Sequence, residues 1–139
     1  MRRLTDVLLA AGTMLLAGCG NPPYRESLHQ VASWVTTGAF ITNRWRAGTI
    51  PSPYAAHALG AARDAVRQEV ATISRQYPDS IGAFRPLTNA ATQDIGALAA
   101  AVARHDTTQT ELLYARLVPI QHQLRQLAAA ADASERGEQ

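Results

Sequence analysis

The chain has 139 residues, a single Cys, no Lys, and a formal net charge of +2 at pH 7 from 13 basic and 11 acidic side chains. That length suits one domain with one core, and so balanced a charge carries no electrostatic footprint for nucleic acid. One Cys cannot close an internal disulfide, so stability has to come from packing.

The first element is a secretory signal. Arg2 and Arg3 open it, and Val7 to Gly18 is an apolar run without charge that ends in small residues. About a dozen residues at about 1.5 Å rise reach roughly 18 Å of a hydrocarbon core about 30 Å thick, so the run is too short to span. Leu16-Ala17-Gly18-Cys19 follows the order aliphatic, small, Gly, Cys. In these residues the chain resembles bacterial lipoproteins, whose lipobox has this form.

The resemblance implies that residues 1–18 are cleaved and that Cys19 becomes the lipidated first residue, carrying a diacylglyceryl group and an acyl chain such as palmitate. One acyl chain binds a membrane marginally and two or three bind it stably, at about 0.8 kcal/mol per methylene. Gly20 stands where Asp favours inner-membrane retention in enterobacterial lipoproteins, so the periplasmic face of the outer membrane is the expected address. Loss of two Arg and one Asp with the signal takes the net charge from +2 to +1.

Residues 19–25 read as a short tether, with Pro22 and Pro23 favouring an extended path. From Glu26 to about Trp45, Val31, Trp34, Gly38, Ile41 and Trp45 recur at helical spacing, widened by Leu28, Val35 and Thr42. Gly38 costs about 1 kcal/mol against Ala in a helix, which predicts a close approach by a neighbour. Trp34 and Trp45 are expected as core anchors, with Arg44 and Arg46 at the negative pole of the helix.

Ser52 is the expected N-cap of a second helix, with Pro53 in its first turn. That helix runs to about Tyr77 on a stripe of Leu59, Ala62, Val66, Val70, Ile73 and Tyr77, with Arg63, Asp64 and Arg67 outward. Asp64 and Arg67 are expected to form a surface pair. Pro78 stops it, and residues 81–86 are expected to fold irregularly over one end of the core with Phe84 as a plug or a partner contact.

A third helix is expected from Leu87 or Asn89 to Arg104 on Ala91, Ile95, Leu98 and Val102. Thr108-Gln109-Thr110-Glu111 has the form of a capping box, with Asp106 as an alternative cap, and starts a fourth helix. Leu113, Leu117, Ile120, Leu124, Leu127 and Ala131 line it, and Pro119 should kink it. Residues 132–139 are expected to be a fraying polar tail.

Four amphipathic segments over residues 26–131 and no strand pattern predict an all-α, antiparallel up-down four-helix bundle. Helical hairpins that dimerise are the competing arrangement. His29, His57, His105 and His122 lack metal-ligand spacing, both Met lie in the signal, and there is no phosphate loop or Gly-x-Ser-x-Gly elbow. The expectation is a non-catalytic module without cofactor or metal.

Its leading role is that of a membrane-anchored adaptor for another envelope protein. It resembles secretion-system pilotins in size, anchor and helicity, without a pilotin motif. Contacts are expected among Trp34, Gly38, Trp45, Phe84, Tyr114 and Pro119, in a groove near Gly38 or the Pro119 kink. The alternative is a carrier holding a lipid or small ligand in an enclosed cavity lined by Trp34, Trp45 and Tyr114.

Overall fold

The computed structural model describes residues 23–137. The signal peptide, the lipobox, Cys19 and the tether as far as Pro22 lie outside the described residues. Four helices make up the domain: α1 (Tyr24–Arg46), α2 (Ser52–Gln76), α3 (Arg85–Ala103) and α4 (Thr107–Gly137). Each packs on the next, α4 returns to α1, and α1 meets α3 more sparingly across the diagonal. This is the expected all-α up-down four-helix bundle.

The four apolar stripes meet within one chain. Val31 and Val35 of α1, Leu59, Val66 and Ile73 of α2, Ile95 and Leu98 of α3, and Leu117 of α4 are fully buried. Gly38 is where the diagonal closes. A Cβ there would stand 3.3 Å from both Cγ1 and Cδ1 of Ile95, so the missing side chain lets α1 approach α3.

Both turns at the far end of the bundle, where α1 ends, use the same backbone device. At the end of α1 the Thr49 N–H reaches the Arg44 carbonyl and Gly48 N–H that of Trp45; at the end of α3 Asp106 and His105 bond Ala101 and Val102 in the same way. These are Schellman motifs, and the left-handed residue each requires is Gly48 (φ 72°) in one and His105 (φ 55°) in the other.

Local boundaries depart from the periodicity where tertiary partners act. Helix α1 starts at Tyr24, two residues inside the expected tether, because the Tyr24 ring packs edge-on to Tyr77 at 5.5 Å and beside Phe84 at 6.2 Å. Pro51, not Ser52, stands at the N-cap of α2, with Ser52 and Pro53 inside its first turn. Residues 81–83 form a 3₁₀ turn, and α3 begins at Arg85 with Pro86 in its first turn.

Asp106 caps α4, accepting the Gln109 N–H at 3.0 Å, so the Thr108 capping box does not form. Its would-be partner Glu111 is engaged instead by Arg46 of α1. At the other end α4 continues to Gly137, past the polar-tail boundary expected at residue 132. Two cross-helix pairs hold that extension against α1: His29 Nε2 to Asp132 at 2.8 Å and Arg25 Nε to Glu135 at 3.0 Å.

Candidate functional site

Six residues were expected to make contacts, and the fold does not gather all of them into one site. Phe84 is 1% exposed, which fits a plug and leaves no surface for a partner. Gly38 is buried behind Ile95, so the groove expected there is filled. Pro119 sits exposed within α4 and lines none of the four described depressions. Trp34 is half-buried against the core, away from the other aromatic candidates.

Trp45 and Tyr114 both join polar networks at the far end. The Trp45 indole N–H donates to Ser52 Oγ at 2.8 Å, and Ser52 Oγ lies 3.1 Å from His105 Nδ1. Because indole can only donate, the serine oxygen accepts there, and its own proton goes to Nδ1 when the imidazole carries hydrogen on Nε2. Beside it, Arg46 pairs with both Glu111 carboxylate oxygens at 2.6 and 2.7 Å and lies 4.5 Å above the Tyr114 ring. The Glu111 bonds hold Arg46 above its ordinary pKa.

These hydrogen bonds tie the α1–α2 turn to the α3–α4 turn.

Asp94 is the polar residue that the periodicity passed over. It lies on the inward stripe between Ala91 and Leu98, and a carboxylate at that register was the available signal. Its side chain is 2% exposed, one oxygen lies 2.9 Å from Arg116 Nη2, and Oδ2 is buried without a partner. Burial raises its pKa and Arg116 pulls in the opposite direction.

The surface openings lie elsewhere. One of four described depressions, of about 430 Å³, is a groove open to solvent between α2 and α3, lined by Arg67, Val70, Ala71, Thr88, Asn89, Thr92 and Gln93. Asp64, expected to pair with Arg67, is held by its neighbour Arg63 at 3.0 Å. Three smaller depressions of about 280 to 330 Å³ include two that share His29 along the α1–α4 seam. Exposed Phe40, Tyr54, Leu112 and Val118 are spread over three helices.

Among the described residues no three His, Cys, Asp or Glu side chains gather into a metal-binding group. No described helix is long and apolar enough to cross a membrane. No protein-family model matches the chain, and no match was found among curated proteins or solved structures.

Proposed function

We propose that this protein is a lipid-anchored adaptor of the bacterial envelope, held at the outer membrane through Cys19 and binding another envelope protein without catalysing a reaction. The observation that carries this reading is an exposed groove between two helices, open to solvent and lined by both polar and apolar side chains. Trp34, Trp45 and Tyr114, the residues a carrier would use, line none of the four described depressions.

The position of the groove supports the same reading. It lies towards the end at which α1 begins, within three turns of the end of α2 and in the first turns of α3. From Cys19 to Tyr24 the chain reaches at most about 18 Å at about 3.6 Å per residue. A partner gripped there would be held close to the bilayer.

The test is crosslinking in living cells of the source bacterium, comparing the native protein with Cys19→Ser and identifying captured proteins by mass spectrometry. Capture of one envelope protein by the membrane-fractionating native form, and its loss with Cys19→Ser, is expected. Unchanged membrane fractionation of Cys19→Ser would overturn the anchor, and co-purifying lipid or small molecules with no protein partner would overturn the adaptor.

A further inference from the structure

The groove between α2 and α3 has a chemistry that selects its occupant. Arg67 is its one charged lining residue, and no carboxylate shares the lining. The guanidinium makes no described hydrogen bond or ion pair, unlike Arg25, Arg46, Arg63 and Arg116, each of which has a carboxylate. Nearby acids do not answer it: Asp64 is engaged by Arg63, and Glu69 leaves α2 about 200° around the helix from Arg67.

On the facing wall, Asn89 and Gln93 stand one helical turn apart on α3, and neither side chain has a described partner. Each amide offers both a donor and an acceptor. Side chains one turn apart on a helix are about 5–6 Å from each other, close to the roughly 6.6 Å two-residue repeat of an extended chain. The pair can therefore bond successive backbone amides on the same edge of an extended peptide.

The floor keeps its hydroxyl donors to itself. The Thr88 hydroxyl is spent on the Arg85 carbonyl at 3.0 Å and that of Thr92 on the Thr88 carbonyl at 2.7 Å, beside Val70 and Ala71.

We propose that this groove takes an extended acidic segment of the partner protein, its carboxylate paired with Arg67 and its backbone amides bonded by Asn89 and Gln93. The inference rests on the adaptor reading and names the chemistry of the partner. A guanidinium and a carboxylate form two parallel charge-assisted hydrogen bonds, so Arg67 sets the register while the amides tolerate sequence variation.

The test uses the full lipidated chain in living cells. A photo-crosslinking benzoylphenylalanine is placed at Ala71, which lines the groove, or at Ser33 in the α1–α4 seam, and the captured segment is mapped by mass spectrometry. Capture from position 71 of a protein segment bearing Asp or Glu is expected, with yield falling about tenfold for Arg67→Glu and by a smaller factor for Arg67→Lys, which keeps the charge but loses the bidentate geometry.

Capture from 71 that is indifferent to Arg67→Glu, or of a segment without a carboxylate, overturns the proposal. So does capture of lipid or glycan in place of protein. Protein capture from 33 alone overturns the groove and leaves the adaptor standing, whereas no protein from either position overturns both.

Discussion

Asp94 of α3 sets one carboxylate oxygen 2.9 Å from Nη2 of Arg116 on α4 and buries the other without a partner. The pair is lopsided, because the carboxylate is 2% exposed and the arginine side chain 63%. Only the acid has lost its water. Burial raises the folded-state pKa of Asp94 above its unfolded value, so the folded state binds a proton more tightly. The resulting stability is fully present below the unfolded pKa and is lost as pH rises through the raised folded value.

Asp94→Asn is thus expected to remove a decline in stability over that pH window, read as urea midpoints at a series of pH values. Arg116→Ala leaves the buried carboxylate uncompensated and should cost about 2 kcal/mol at neutral pH, less in acid where Asp94 is protonated. Equal losses for Arg116→Ala in acid and at neutral pH would show that the pair does not act through charge.

Gly38 and Ile95 make the second prediction. Ala at position 38 gains about 1 kcal/mol of helix propensity, but its Cβ would press at 3.3 Å on a fully buried Ile95. Overpacking costs about 1–3 kcal/mol, so Gly38→Ala should lower stability by about 1 kcal/mol, some 3–5 °C in Tm. Combining it with Ile95→Val removes Cδ1, and the two changes together should cost less than the sum of their separate effects. Additive losses in thermal unfolding would place the strain elsewhere.

The Ser52–His105 tie separates a backbone cost from a side-chain gain. His105 holds φ at 55° without being Gly, which costs roughly 1 kcal/mol, while its imidazole bonds Ser52. His105→Gly relieves the first and loses the second, so denaturant unfolding should register a change of no more than about 0.5 kcal/mol. Ser52→Ala leaves the Trp45 N–H without its acceptor and should cost about 1–2 kcal/mol. If both variants lose the same amount, backbone relief at position 105 does not offset the lost imidazole bond.

Much of the architecture was legible in the chain. The stripes of Val31 to Trp45, Leu59 to Ile73, Ala91 to Val102 and Leu113 to Leu124 report the 3.6-residue period directly, and four of them with short loops leave few ways to hide apolar area. Gly38 also announced its close approach, because a glycine inside a helix is costly without one. Errors gathered at helix ends. Ser52 and Thr108-Glu111 had sound capping chemistry, yet Ser52 Oγ was drawn to Trp45 and His105, and Glu111 to Arg46.

What the sequence by itself determined is the helical class, the four stripes and the plug at Phe84, since each depends on which residues avoid water along one helix or loop. Only the tertiary structure decided that Asp94 would be buried beside Arg116, that α4 would run on to Gly137 against Arg25 and His29, and that a groove would open at Arg67, Asn89 and Gln93. These depend on which helix lies beside which, and a pairing between side chains distant in sequence leaves no period in either segment.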